Sequence, residues 1–514
     1  MNVVSPITQK TIYTIEEASD NQIKEVYQNA KKTQSVIESF SVTERVHEIL
    51  KLRDYIIENR ESIIDRIVEE TGKSRLDALT SEIFEVCDVI DVFRKKAPKI
   101  LADKSVDTPI VLMGKKSKIV YNPLGTILVI PPWNYPFYQC MVPAILSFLA
   151  GNATIIKPSE VTPLKGLIEE IISKNGFIEN AIQVVYGSGV TGSKLIAEKP
   201  NKIHFTGSGK TGRKIMAQAA EMLIPVDLEL GGKDPALVFE DVNLERTVNG
   251  VLWGAFTNAG QSCTSIERCY VHESIFDEFV NSLTQKANKL RVSTPNRNIK
   301  NVSDCDLGCT TTPFQLKIIQ EHIEDAVNKG AKVLCGGKSE SNHFPPTVLV
   351  NVNHSMKIMQ EETFGPVLPI MKFKTEEEVV DLANDSVYGL SASIWSKDLQ
   401  RANRVMRKLQ VGNVSINNHM LTEANPNLPF GGTKESGFGR IKGEEGLVAF
   451  TNSKSVLIDK QSDLIEPHWY PFTETKYKLI SSIITSFFSK KKNWLKFAQT
   501  GLQLDSIGKK EKIK

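Results

Sequence analysis

The chain has 514 residues, 41% hydrophobic and 24% charged, with a formal net charge of +3 and seven cysteines. That length exceeds a single small core and predicts about two to four domains, while the near balance of charge gives no basis for a nucleic-acid or polyanion partner. The cysteines are sparse, odd in number and unpaired in spacing, which suits a reducing compartment; Cys305 and Cys309 lack a second pair or a nearby His pair, so no metal site is expected. The start, Met1 to Pro6, has no basic region leading into an apolar core, and no secretory signal is expected.

Residues 16–103 read as helices. Ile15 to Ala18 and Asn21 to Phe40 carry a 3.6-residue rhythm, as do Val42 to Asn59 and Glu61 to Thr71, and Ser41 with Glu44 forms a capping-box pattern. Val106 to Tyr121 reads as an extended, hairpin-like excursion. Thr126 to Ala150 is apolar enough to suggest a membrane span, but it holds Pro131, Pro132, Pro136, Pro143, Asn134 and Gln139, which fit a buried strand, a loop and a helix better. Short apolar runs follow at 153–156, 182–186 and 202–206, with helical segments at 138–149, 163–174 and 192–198. Strand, helix, strand at this spacing predicts parallel βαβ units, whose ligands bind beyond the carboxyl ends of the strands. Lys157, Gly187 and Gly207 sit at such ends.

A second alternating region runs from Pro235 to about Ile416, with strands at 236–239, 268–271 and 332–335 and helices at 244–256, 275–290, 314–329, 376–383 and 399–409. The expected architecture is two α/β domains with a seam near Leu230 to Lys233. After residue 460 the composition changes. Leu479 to Phe488 is apolar and is followed by Lys490, Lys491, Lys492 and Trp494 to Phe497. Ten residues are too few to span a bilayer. The stretch 479–497 could pack on a neighbouring subunit, the default reading, or lie on an anionic membrane surface.

Several stretches carry chemistry. Cys263 follows Gly-Gln-Ser at the end of the apolar stretch Val248 to Phe256; a lone cysteine is ordinarily a small hydrophobe, unless other reactive groups converge on it. Phe205 to Gly212 contains G-x-G-x-x-G (Gly207, Gly209, Gly212) after a strand and before a helix, with Ser208 inside it and Glu229 about twenty residues on, the Rossmann spacing for a ribose ligand. The same run imitates a P-loop but has His204 where that motif needs glycine. Lys157 and Glu160 at a strand end could hold ribose hydroxyls or merely form a surface turn. Glu229, between leucines, is either a buried base with a raised pKa or the ion-pair partner of Lys233 or Arg268. Pro132, Trp133 and Asn134 set an amide in a proline-bounded loop, where it could donate to an oxyanion or serve only in packing.

The order of these motifs closely resembles the NAD(P)-dependent aldehyde dehydrogenase superfamily over about residues 5–460: Pro132-Trp-Asn134, Lys157 to Glu160, Phe205 to Ser208, Glu229 to Lys233, Gly260 to Cys263, Glu361 to Pro366 and Pro429 to Gly437. The resemblance implies two Rossmann-like three-layer α/β/α domains and a small β oligomerisation element. Residues 1–105 and 124–230 would bind the coenzyme, 231–424 would carry the nucleophile, and 106–123 with 425–460 would form a homodimer or homotetramer. Residues 461–514 would be a basic amphipathic extension outside the family pattern. It further implies Cys263 as nucleophile, Asn134 with the Cys263 amide as oxyanion hole, and Glu229 as the base for thioester hydrolysis, so that the Rossmann spacing of Glu229 is a coincidence. Lys157 and Glu160 would take the adenosine ribose, Gly207 and Ser208 the pyrophosphate, and Glu362 the nicotinamide ribose with Phe364 beside the ring, while Gly212, Pro132 and Trp133 would also belong to the coenzyme site. Glu160 would repel a 2′-phosphate, which favours NAD, with NADP allowed by Lys157. The expected substrate is an apolar aliphatic or aromatic aldehyde, since Trp133 to Phe137 resembles the branch acting on such compounds. A semialdehyde acid is the alternative. The expected setting is cytoplasmic, with peripheral membrane contact through 479–497 as the alternative to packing on a subunit. Two rivals are a catalytically silent relative and a cysteine hydrolase, which would need a histidine (His204, His272, His354 or His419) on Cys263.

Overall fold

The computed structural model describes residues 1–301, 305–460 and 465–510; residues 461–464 and 511–514 of the expected C-terminal extension lie outside them. Two compact units emerge, one from Met1–Ala102 with Tyr121–Ser453, the other from Asp103–Val120 with the chain after Lys454.

Among the described residues the first unit holds a six-stranded and a seven-stranded sheet. The first has the spatial order Gly437–Phe438, Val226–Glu229, Lys202–Thr206, Thr126–Ile130, Ala153–Ile156, Ile182–Val184. All pairings are parallel except that of Gly437–Phe438, which runs antiparallel to Val226–Glu229. The strands are short apolar runs because both faces are covered; every residue of Thr126–Ile130 is buried, and so is nearly all of the following helix Pro136–Leu149. From Thr126–Ile130 the chain lays two strands on one side and then two on the other. The reversal opens a crevice at the carboxyl ends of Thr126–Ile130 and Lys202–Thr206, the position where open α/β sheets take ligands.

The second sheet begins at Asp234, directly after Val226–Glu229 leaves the first. Its order is Lys332–Cys335, Thr347–Val350, Val367–Phe373, Ile266–His272, Asp234–Val238, Ser391–Trp395, Asn413–Ile416, parallel except at the Lys332–Cys335 edge. Cys263 and the Glu362 to Phe364 strip precede the strands Ile266–His272 and Val367–Phe373, so they enter from the amino ends of this sheet. The amino edge of one sheet and the carboxyl edge of the other supply the two walls of one cleft.

Some expectations need correction. Ile15 to Ala18 is not helical; the helix starts at Asp20 with Ser19 as its capping-box residue. The strand Val226–Glu229 has no clear signal, because Asp227 and Glu229 interrupt its apolar pattern. Within 425–460, Gly437–Phe438 joins the coenzyme-side sheet, and Thr451–Asp459 joins a three-stranded sheet with Lys115–Pro123 and Lys104–Val106. The tail forms a helix over Glu474–Phe488, longer than its apolar run, and a second over Trp494–Lys510. The Asn493 amide donates to Ser486 at 2.9 Å across the turn between them. No helix among the described residues is long and apolar enough to cross a membrane.

Candidate active site

The helix Leu244–Phe256 ends in a tight turn, Thr257–Gly260, in which Asn258 (φ 50°), Ala259 (φ 55°) and Gly260 (φ 68°) are all left-handed. Ala259 is strained there, and such strain persists only where the surroundings over-determine it. Gly260 is required, because a Cβ would run into the Gly365 carbonyl; one at Gly232 would likewise strike the Cys263 carbonyl. The turn delivers Cys263 to the cleft while Ser262, Thr264 and Ser265 are buried around it. Burial, followed by the carboxylates of Glu423, Asp234, Glu362 and Glu229, pushes the Cys263 thiol well above its ordinary value. In the resting site the sulfur therefore carries a proton.

Glu229 ends its strand inside the same cleft. It is buried, and neither carboxylate oxygen has a hydrogen-bond partner. Burial raises its pKa well above the ordinary value, with Arg440 and Lys442 opposing the rise and Asp227 and Glu423 adding to it. The alternative pairing with Lys233 or Arg268 does not occur. Lys233 pairs with Glu267 at 2.5 Å, and Arg268 donates to the carbonyls of Lys233 and Ala383 at 2.9 Å each. Asn134 donates one N–H to the Gln261 carbonyl at 3.0 Å, which aims its amide at the turn carrying the cysteine.

A cleft with about 780 Å³ of empty volume, open solvent included, brings together Pro132, Trp133, Asn134, Gly207, Ser208, Glu229, Cys263, Glu362 and Phe364. Lys157, Glu160 and Gly212 do not line it. Lys157 follows the adjacent strand and pairs with Glu160 at 3.0 Å, while Gly212 lies beneath Leu230, whose side chain a Cβ there would crowd. Ser208 caps the helix Gly209–Ala220 by accepting from the Thr211 amide. Glu362 accepts from the Gly232 amide at 3.0 Å, and burial pushes its pKa up to about 8. Trp133 meets Phe364 edge to face at 5.4 Å and Phe314 at 6.4 Å.

Sequence reasoning missed the residues that hold these loops. Lys73, wholly buried, pairs with Glu82 at 2.5 Å and donates to the Asn134 carbonyl at 2.8 Å. Glu82 in turn accepts from the amides of Phe137 and Tyr138. On the other wall, Glu267 accepts from Lys233 and from the amides of Thr363 (2.7 Å) and Phe364 (2.8 Å). Each ion pair thus fixes one loop of the cleft. Nothing in the spacing of Lys73 and Glu82 marks them; they are recognisable only once the helices fold against the Trp133 loop.

A second, narrow pocket, with about 400 Å³ of empty volume when open solvent is included, shares Gln139, Thr206, Glu229, Leu230 and Cys263 with the cleft. Tyr138, Val142, Glu423, Phe430 and Ile441 also line it. Thr264 donates to the Glu423 carboxylate at 2.8 Å. The buried Lys442 ammonium donates to the Tyr138 hydroxyl at 3.0 Å and to the Glu423 carbonyl, and lies 5.6 Å from both the Tyr138 and Phe430 ring centres. Among the described residues no histidine hydrogen-bonds the Cys263 sulfur. The neighbouring His419 is spent on the Thr264 carbonyl at 2.6 Å, and burial lowers its pKa to about 4.

Known proteins share this arrangement. Residues 1–456 match the model of the aldehyde dehydrogenase family. A 4,4'-diapolycopene aldehyde oxidase of Methylomonas sp. is 39% identical over 477 residues, 92% of this chain and 89% of the relative. The chloroplastic betaine aldehyde dehydrogenase of Atriplex hortensis is 34% identical, covering 80% of this chain and 82% of its own. The solved structure of Staphylococcus aureus betaine aldehyde dehydrogenase in complex with NAD+ superposes with a TM-score of 0.84 at 30% identity, covering 92% of this chain and 94% of that one. The two α/β sheets, the cysteine turn and these matches together establish that the chain belongs to the aldehyde dehydrogenase family.

Proposed function

We propose that the protein oxidises apolar aliphatic or aromatic aldehydes to carboxylic acids, with NAD as the preferred coenzyme and hydrolysis as the second half-reaction. The observation that carries this reading is the meeting of a cysteine thiol, an amide donor and a buried carboxyl without a hydrogen-bond partner on one cleft. The donor set also fits a dinucleotide: Ser208 at a helix start, the fixed carboxyl of Glu362, the Trp133 and Phe364 rings, and the Lys157–Glu160 pair at the neighbouring strand end. When bound, the oxidised nicotinamide coenzyme supplies the hydride acceptor.

Glu229 in its carboxylate form takes the Cys263 proton and passes it to solvent, and the resulting thiolate adds to the aldehyde carbon as the C=O electron pair moves onto oxygen. Asn134 Nδ2 and the Cys263 backbone N–H donate to the oxygen as it gains charge. Loss of hydride leaves the acyl group on the sulfur as a thioester. Glu229, with no hydrogen bond to break, takes a proton from the water that attacks the thioester and frees the acid. Glu160 disfavours a 2′-phosphate and so favours NAD over NADP.

The second pocket supports the substrate class. Val142, Phe430 and Ile441 give it an apolar wall, and the Glu423 carboxylate would repel a second carboxylate, which counts against a semialdehyde acid. We further take residues 1–105 with 124–230 as the coenzyme domain and 231–424 as the domain of the nucleophile. Segments 106–123 and 425–460 are taken as contacts of a homodimer or homotetramer, and the setting as cytoplasmic; light scattering of the full chain tests the assembly.

A panel of aldehydes of increasing chain length, with reduced coenzyme followed by absorbance, tests the reading. Efficiency is expected to rise with apolar length and to be higher with NAD. A best substrate bearing a second carboxylate, or higher efficiency with NADP, would contradict it.

A further inference from the structure

The active site leaves one part of the chain without a task. Residues 474–510 carry eight lysines against Glu474 and Asp505, a net +6 in a chain whose total is +3, so the remaining residues sum to −3. Basic charge is thus concentrated in one helical hairpin. Its turn holds Lys490, Lys491 and Lys492, all exposed, and Lys496 is exposed one turn into the second helix.

The same hairpin exposes large apolar side chains. On Glu474–Phe488, Tyr477 (71% exposed), Ile484 (55%) and Phe488 (69%) recur at spacings of seven and four, which places them on one helix face. On Trp494–Lys510, Trp494 (53%), Leu495 (79%) and Leu502 (73%) are likewise open. The lysines and the aromatics are interleaved: the Lys492 ammonium lies 5.2 Å from the Phe487 ring centre and 5.6 Å from that of Trp494. Exposed lysines interleaved with exposed aromatic and aliphatic side chains on helices are the arrangement that sits at a boundary between hydrocarbon and water.

We propose that this hairpin docks on the surface of an anionic lipid bilayer, with Tyr477, Ile484, Phe488, Trp494, Leu495 and Leu502 entering the headgroup boundary and Lys490 to Lys492 paired with lipid phosphates. Neither helix can cross the membrane, so the contact is peripheral. A second copy of the chain is the poorer occupant, because a two-fold contact through this face would set the two lysine clusters against each other. Docking would bring an enzyme for apolar aldehydes to the phase in which such compounds dissolve. It does not require that substrate reading, and its test contains no aldehyde.

The full-length protein is floated with phosphatidylglycerol vesicles and with phosphatidylcholine vesicles at about 0.1 M salt, where the screening length is about 10 Å. Flotation with the anionic vesicles alone is expected, with release at about 1 M salt, where screening shortens to about 3 Å. Replacing Lys490, Lys491 and Lys492 by Glu is expected to weaken binding at least tenfold. The pair Trp494→Ala and Leu495→Ala is also expected to weaken it, which separates a bilayer from a mere polyanion. Thermal unfolding followed by circular dichroism serves as the check that each variant is folded. Failure of the wild type to float, equal flotation of the lysine variant, or a tail variant that changes only the oligomeric mass would overturn the proposal, the last by assigning the face to a second copy.

Discussion

Buried carboxylates occur in two kinds in this molecule, and they behave differently. Glu82 and Glu267 are buried with a lysine each and with backbone amides on their remaining lone pairs. Glu229 is buried a short way along the same cleft with no partner on either oxygen. The first kind costs desolvation but recovers it through geometry, and what it yields is position: one pair holds the Asn134 loop, the other the Phe364 strip. The second kind makes no hydrogen bond in the resting state, and only the charges of Arg440 and Lys442 favour its ionised form. Its raised proton affinity is the property that a base for water activation needs. Burial alone does not separate the two kinds; the presence or absence of a partner does.

The contrast can be broken in several ways. The largest effect is expected at the sulfur. Cys263→Ala should lower kcat by about a million-fold, the scale of losing a nucleophile, while coenzyme binding measured by fluorescence persists. A surviving turnover near the wild-type rate would remove the sulfur from the chemistry. Next comes the scaffold. Lys73→Met leaves Glu82 as an uncompensated buried charge and should cost about 3–5 kcal/mol of stability in denaturant unfolding. Glu229→Gln, which replaces a carboxyl that has no hydrogen-bond partner by an amide of the same shape, should be neutral or stabilising in the same experiment. Equal losses in both would erase the distinction.

Asn134→Ala should cost about 3 kcal/mol of transition-state stabilisation, read as a fall in kcat with little change in KM. The smallest effect is on the pH dependence of stability. Burial raises Glu362 to about 8 from an ordinary 4.5, so the folded state holds that proton more tightly than the unfolded chain does. Its contribution is complete below about pH 4.5 and is lost as pH rises through about 8. Glu362→Gln should flatten that decline between about pH 4.5 and 8 in denaturant unfolding; an unchanged slope would place the titration elsewhere.

Much of this was legible from residue order alone. Short apolar runs ending at Pro131, Lys157 and Gly207 gave away the parallel sheet, because strands covered on both faces leave an uninterrupted hydrophobic signature. The cleft residues were legible as motifs, and nine of the twelve singled out line one cavity. Three classes of feature were not. Val226–Glu229 was hidden because a strand that ends in an active site carries polar residues where the pattern wants apolar ones. Lys73, Glu82 and Glu267 were hidden because buried ion pairs are made by tertiary contact between distant segments and leave no local spacing. The partner of Glu229 was ambiguous for the same reason: Lys233 and Arg268 were both candidates, and packing gives Lys233 to Glu267 and Arg268 to backbone carbonyls.

The central claim is that Glu229, unpaired in its pocket, activates the water that frees the acid. The most direct test is rapid-mixing of Glu229→Gln with NAD and an apolar aldehyde, following reduced coenzyme. The account predicts a burst of about one equivalent per site, then steady turnover slowed by about 10²–10⁴-fold, the usual range for losing a general base. Steady turnover equal to wild type would contradict it.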